Sequence, residues 1–420
     1  MMPPKHAALR PPTGRHVRVP AFGPVRGVYV PRTADAGAFA MSTYGIPLLV
    51  LAVTDSATLT GIAFTLEWVP RLGAFALAGA AVDRVGSTRV LRIASILRAL
   101  VVLAAALVLP AVDGATAIAT VMLLAASTGV LTEFSYIAAE TAGGAASRDA
   151  GGQAHRVQAV LLGIDQGATL AGPALAGVLL QYTGATGMLL TIAVCSVLGA
   201  ALAPRQRPAW PHEAPIPVAH GLRIGWRCLR SLPALGWLCV GLVLSNTAIG
   251  LVQAAGPVLV IQRLGGTSSQ VGLVWSAAAV ASLLMVALAR FAIDRAGLWP
   301  VGASAAALAS LACLALAVAD TYAAFLVLVA LLMAGEAGMT VVLRTLRAHL
   351  VPEKVFGSTL SLIILLLLAP FPLAGAVVAL TPPDLLGHAI TACAVLQAVG
   401  LAVSFAKLRT HPATRRPLPA

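Results

Sequence analysis

Charge is scarce in this chain. Asp, Glu, Lys and Arg together make up 10% of its 420 residues, too few to cover the surface of a water-soluble protein of that length. Aromatic residues are scarcer still at 5%, which excludes a transmembrane β-barrel with its girdles of Trp and Tyr. Lysine occurs only at Lys5, Lys354 and Lys407 and never follows glycine, so the glycine-lysine step of a phosphate-binding loop is missing. The chain by itself is therefore no ATP-driven pump. The five cysteines (Cys195, Cys228, Cys239, Cys313, Cys393) have neither metal-ligand nor disulfide spacing, and all but Cys228 lie in apolar runs as small packing residues. With no nucleophile-base or metal constellation either, neither an enzyme nor a bound metal or cofactor is expected. Ala, Leu, Val and Gly fill the chain instead, with 59% of residues hydrophobic and a mean hydropathy of +0.91. That composition suits closely packed membrane helices.

A transmembrane helix needs about 20 mainly apolar residues. Twelve such segments fit, at 34–54, 61–82, 90–112, 115–139, 157–180, 184–203, 235–261, 271–293, 299–319, 322–343, 356–380 and 385–405. The net charge of +13 would suit nucleic acid, but its placement points elsewhere. Twenty-five of the 28 Lys and Arg residues fall on the side that holds both termini, whereas Asp55, Asp113, Asp320 and Asp384 mark the opposite turns. The positive-inside rule then makes both termini cytoplasmic, in a multi-pass protein of the cell (inner) membrane with no nucleic-acid partner. Residues 1–33 are rich in Pro and Arg and read as a cytoplasmic tail, not a cleaved signal peptide. Residues 204–233, with several prolines and five arginines, read as a cytoplasmic linker between a bundle at 34–203 and another at 234–406, followed by a second tail at 407–420.

Two internal echoes support this division. Gly79-Ala-Ala-Val-Asp83-Arg84-Val-Gly86-Ser-Thr-Arg89 closes the second segment, and Arg290-Phe-Ala-Ile-Asp294-Arg295-Ala-Gly297 closes the eighth, 211 residues later. Gly172-Pro173-Ala-Leu-Ala176-Gly177 in the fifth segment pairs with Pro370-Phe-Pro372-Leu-Ala374-Gly375 in the eleventh, 198 residues on. In the first echo, Gly79 would let another helix approach closely and Gly86 would permit a tight turn. Asp83 sits at a helix C-terminus, where a cation is preferred, and so needs an external partner.

With Gly79, Asp83, Arg84, Gly86 and Arg89 in these positions the chain resembles the major facilitator superfamily, over about Thr33 to Arg409. The resemblance implies two pseudo-symmetric six-helix bundles. It also implies a cytoplasmic latch in which Asp83 engages the start of the eleventh helix, with Asp294 and Arg295 as a second copy. Ser87, Thr88 and Arg290 depart from the family pattern, the last putting the second latch in doubt. Within the superfamily, Thr54-Asp-Ser-Ala, Trp68-Val-Pro70, Val90-Leu-Arg92 and the Gly172-Pro173 helix look most like the efflux branch that contains the enterobactin exporter. Gly172 and Pro173 are expected to shape helix packing.

Ionisable groups at membrane depth need a partner or a function. Glu67 and Arg71 stand at i and i+4 around Pro70 and can pair on one helix face. Asp165 and Arg98 lie at similar depth, roughly 12 Å in at helical rise, which permits a salt bridge. Asp35 falls in the first turn of its segment, where an acid complements the helix dipole. The resemblance implies that the first, fourth, seventh and tenth helices line a central cavity, which singles out Glu133, Glu336 and Asn246. Neither Glu133 nor Glu336 has a basic residue within four positions, so both are expected to be unpaired carboxylates available for coupling, ahead of the locally neutralised Glu67.

The reading is a monomeric, all-α polytopic secondary transporter, with protons as coupling ion and a small organic molecule (drug, siderophore or metabolite) as exported cargo, working in the lipid bilayer by alternating access. The alternatives are an uptake permease of the same fold and a transport-inactive membrane sensor or assembly protein.

Overall fold

A computed structural model of the protein describes residues 25–149, 154–204, 218–352 and 355–409. Among these it is entirely helical, with thirteen α-helices: α1 (Val30–Thr54), α2 (Ala57–Val85), α3 (Ser87–Val108), α4 (Gly114–Asp149), α5 (Ala154–Leu202), α6 (Val218–Ser231), α7 (Pro233–Val258), α8 (Ser268–Ala296), α9 (Leu298–Leu316), α10 (Tyr322–Leu350), α11 (Phe356–Leu368), α12 (Pro370–Leu380) and α13 (Leu386–Arg409). Among the described residues, ten helical stretches are long and apolar enough to cross a membrane. Leu, Ile and Val dominate the large exposed side chains, as a lipid-facing surface requires.

The difference from the expected twelve spans has local causes. The fifth and sixth expected segments are both contained in α5, as two helical stretches that meet at Gly184, whose φ of 70° and ψ of −173° are not helical. The eleventh is split into α11 and α12 at Ala369, because Pro370 and Pro372 each remove a backbone donor. α2, which carries Glu67 and Arg71, is not among the ten. α4 and α10 also run beyond their apolar cores, to Asp149 and Leu350. Within the expected polar linker lies an unforeseen helix, α6; residues 205–217, and most of both tails, fall outside the described residues.

Turn chemistry sets the helix starts. The Ser56 hydroxyl accepts from the Leu59 amide, Thr321 accepts from Ala324, and Thr267 forms a reciprocal capping box with Gln270. Gly86 and Gly297, at φ of 92° and 86°, each join two helices in a turn too tight for a side-chain-bearing residue. The glycines close the two copies of the first echo, and each amide bonds the carbonyl four residues back, Val82 and Ile293 respectively.

α1 to α5 pack mainly on one another, and so do α7 to α13. The groups are joined chiefly by two helix pairs, α5 with α8 and α12 with α2, with smaller contacts of α1 and α2 on α7 and of α1 on α8. Both pairs rest on glycine. A Cβ at Gly61 would lie 2.6 Å from the Gly375 carbonyl oxygen, and one at Gly375 would lie 2.7 Å from that of Gly61. A Cβ at Gly272 would lie 2.2 Å from the Pro173 oxygen, and one at Gly177 would lie 2.3 Å from that of Ser268. Gly61 and Gly272 are 211 residues apart, and Gly177 and Gly375 are 198 apart, the same offsets as the two sequence echoes. Hydroxyls follow the same rule: Thr65 donates to the Pro372 carbonyl at 3.2 Å, and Ser276, 211 residues later, donates to that of Leu170 at 2.5 Å. The second echo therefore lies in these two crossings, through Gly177 and Gly375, and the first shares only its offset with Gly61 and Gly272. Gln262 adds a bond to Asp55 at 3.1 Å. These crossings lie toward the end that carries the 55–56 and 264–267 turns, away from the end that carries Gly86 and Gly297.

Candidate functional site

Three arginines are buried inside the first helix group, and each is held by carboxylates from other helices. Arg71 of α2 donates through Nε to Glu133 of α4 at 2.8 Å, while Glu67, one turn back on its own helix, is 3.9 Å from Nη1. Gly129 makes this geometry possible: a Cβ there would lie 2.2 Å from the Glu67 carbonyl, so α2 and α4 touch along their backbones. The expectation that Glu133 is unpaired and Glu67 neutralised is reversed. Glu67 is the surplus acid, with Oε2 buried and without a hydrogen-bond partner among the described residues, as are Arg71 Nη1 and Trp68 Nε1.

Aromatic rings enclose this cluster although the sequence is poor in them. The Arg71 guanidinium lies 4.4 Å from the centre of the Trp68 ring and 5.0 Å from that of Phe39. Trp68 in turn stacks on Phe371 of α12 at 4.3 Å, and Tyr44 of α1 meets Trp275 of α8 at 5.3 Å. Both contacts cross between the helix groups, so Arg71 and Glu67 lie beside the seam between them. Phe39, Tyr44, Trp275 and Phe371 escaped the sequence reading because single aromatics in apolar helices carry no spacing signal.

The bridge that equal depth would permit between Asp165 and Arg98 is not formed. Arg98 donates instead to Asp35 of α1 at 2.7 Å, to Ser196 at 2.9 Å and to Ser135 at 3.0 Å, and is fully buried. Asp165 accepts from Arg32 at 2.6 and 2.7 Å, and Arg32 also pairs with Glu140. Depth alone does not choose a partner, because it says nothing of the direction in which a side chain leaves its helix. Asp35 is not a helix-start residue either: α1 begins at Val30, so Asp35 lies past its first turn, buried against Arg98. Arg32, expected in the tail, belongs to α1 for the same reason.

In the second group, Glu336 of α10 accepts a hydrogen bond from Ser245 of α7 at 2.7 Å, and Gln397 of α13 donates to that hydroxyl at 3.0 Å. Glu336 forms no ion pair among the described residues. Asn246, next to Ser245, donates to the Leu367 carbonyl at 2.9 Å, at the break between α11 and α12. Neither Ser245 nor Gln397 was singled out from sequence.

The expected latch residues stand apart from these clusters. Arg84, Arg89, Asp294 and Arg295 are exposed, and the side chains of Asp83 and Arg290 lie outside those described. Gly79 has no neighbouring heavy atom within 4 Å of a built Cβ, so the close helix approach expected there is not present. Gly172 is tightly placed: its Cβ would meet that of Ala40 at 2.5 Å. No group of three or more His, Cys, Asp or Glu capable of holding a metal occurs among the described residues.

The chain is similar in fold to three solved transporters. A bacterial homologue of the iron transporter ferroportin in an inward-facing state aligns with a TM-score of 0.71 at 17% identity, over 91% of this chain and 98% of that one. The nucleoside transporter NupG aligns with a TM-score of 0.71 at 11% identity, over 90% and 99%. A bacterial homologue of the human lysosomal transporter Spinster, inward-facing and unoccupied, aligns with a TM-score of 0.68 at 12% identity, over 93% and 98%. No curated protein matches the chain significantly by sequence. The sequence profile of the Major Facilitator Superfamily matches residues 34–371, most of the chain, and the protein belongs to that superfamily.

Proposed function

We propose that the protein is a proton-coupled secondary transporter that exports a small organic molecule, cationic or neutral, by alternating access of two six-span halves. The observation that carries this reading is the Glu67, Arg71 and Glu133 cluster. Two carboxylates share one guanidinium, one carboxylate oxygen is left over, and the rings beside it join the two helix groups. Such a site attracts positive charge, offers flat apolar walls and changes shape when the groups separate. Glu336, free of an ion pair in the opposite group, is the proposed coupling acid.

Twelve crossings follow if α2 is added to the ten apolar stretches and α5 is counted twice across Gly184, giving halves at 34–203 and 234–406. The basic excess places both termini on the cytoplasmic side of the cell membrane. The halves then meet at the outer end, an inward-facing arrangement, and Asp83, Arg84 and Arg89 are poised to latch the cytoplasmic end in the opposite state. The Thr54, Trp68, Arg92 and Gly172 motifs support the efflux branch. A monomer suffices, because both halves lie in one chain.

The test begins by comparing small molecules retained in deletion and overexpressing cells to find the cargo. Purified protein in vesicles is then given an imposed pH gradient. Wild type should accumulate cargo against its gradient, and Glu336→Gln should bind cargo yet fail to accumulate it. Equal accumulation by Glu336→Gln removes Glu336 from coupling. Wild-type accumulation that ignores the pH gradient removes the proton.

A further inference from the structure

Helix α6 has no place in the transport cycle proposed above, and its two faces differ sharply. One face packs on the first turns of α11. A Cβ at Gly225 would lie 2.6 Å from the Ser358 carbonyl oxygen, and one at Gly221 would lie 3.5 Å from the Ser358 hydroxyl. Leu229 is buried on the same side. The rest of the helix surface exposes Arg223, Trp226, Arg227 and Arg230, and the Arg230 guanidinium lies 5.9 Å from the Trp226 ring centre. The helix contains no acidic residue, and none of the three arginines forms an ion pair among the described residues.

α5 ends at Leu202 and α7 begins at Pro233, both apolar enough to cross a membrane, so α6, between them in sequence, is expected at the membrane boundary. Between α6 and α11 runs a groove of about 330 Å³ lined by Leu222, Trp226 and Leu362, with Arg223 and Arg227 completing the lining. Its floor is apolar and its charged groups are both cationic. A Trp beside arginines at a membrane boundary is the pattern of an interfacial amphipathic helix.

We propose that α6 binds an anionic phospholipid of the adjoining leaflet, with the headgroup phosphate held by Arg223 and Arg227 and the start of an acyl chain against Leu222, Trp226 and Leu362. Because α6 rests on the first turns of α11, the lipid is held against a helix that the halves must move.

The experiment uses the full chain in a neutral detergent, titrated separately with phosphatidylglycerol and phosphatidylcholine, with bound lipid counted by native mass spectrometry. Wild type should bind phosphatidylglycerol the more tightly. Each of Arg223→Gln and Arg227→Gln should weaken it about five-fold, as expected for one basic residue at an anionic surface, and leave phosphatidylcholine binding unchanged. Both arginines are exposed, so the variants should fold, which a thermal unfolding scan checks. Equal affinity of wild type for the two lipids overturns the proposal, and so does unchanged phosphatidylglycerol binding by the variants. Displacement of the lipid by glycerol phosphate at matched concentration would assign the site to a soluble phosphate and also overturn it.

Discussion

Arg71 stands one helical turn from Glu67 on α2, yet its Nε bonds Glu133 of α4 at 2.8 Å and leaves Glu67 at 3.9 Å. The tighter bond ties two helices together, and the looser one leaves an acid without a full partner beside the rings that link the halves. Removing either end of the tight bond therefore has different consequences from removing Glu67. Glu133→Gln should lower the unfolding temperature in detergent, because breaking a buried pair costs about 3–5 kcal/mol. Glu67→Gln should leave that temperature nearly unchanged and weaken binding of a cationic cargo. A lower unfolding temperature in Glu67→Gln but not in Glu133→Gln would show that the pairing is misassigned.

The Arg98 and Asp35 pair tests the same principle where no cargo is involved. Arg98 uses Nε, Nη1 and Nη2 on Ser196, Ser135 and Asp35, with no exposure at all. Asp35→Asn should destabilise by about 3–5 kcal/mol, and adding Arg98→Met should recover much of the loss by removing the stranded charge. Thermal unfolding of the single and double variants in detergent decides it; a double variant no more stable than the single one would sink the idea.

Gly375 allows α12 to touch α2, and only 2.5 Å separates its missing Cβ from the Thr65 hydroxyl oxygen. Gly375→Val should overpack this crossing by about 1–3 kcal/mol and favour separation of the halves at that end. Transport should fall while expression persists, and a cysteine placed at Thr65 should react faster with an impermeant thiol reagent. Unchanged reactivity would mean that the crossing does not set the state of the halves.

Asp83→Asn should weaken the proposed cytoplasmic latch by about 1–2 kcal/mol, the scale of a charge-dipole contact with its hydrogen bonds. Cysteines at Arg84 and Gly357, on the second helix and near the start of α11, provide the readout. Their cross-linking should drop in the variant, and identical yields would argue against the latch.

Membrane orientation is checked with single cysteines in a chain whose five native cysteines are replaced. Thr183 and Asp320 should label from outside intact cells, and Arg227 on α6 should label only after permeabilisation. The opposite pattern would invert the layout.

Composition and charge placement were enough to identify a polytopic helical membrane protein, because lipid tolerates few ionised side chains and the basic excess collects on one side. The repeat offsets of 211 and 198 pointed to two related halves, and the same offsets separate Gly61 from Gly272 and Gly177 from Gly375 at the crossings, which the sequence reading had not picked out. Backbone contact demands glycine at fixed positions, and that demand is written in the sequence. The partners of the charged side chains were not. Arg98 and Asp165 share a depth yet point to different helices, and Arg71 passes over its neighbour in sequence for an acid 62 residues away. The helix break at Gly184 falls where the sixth segment was expected to begin, whereas the one at Ala369 was hidden within an apolar run. Depth and spacing are properties of one helix, whereas an ion pair depends on how two helices are rotated and packed, which only the tertiary structure decides.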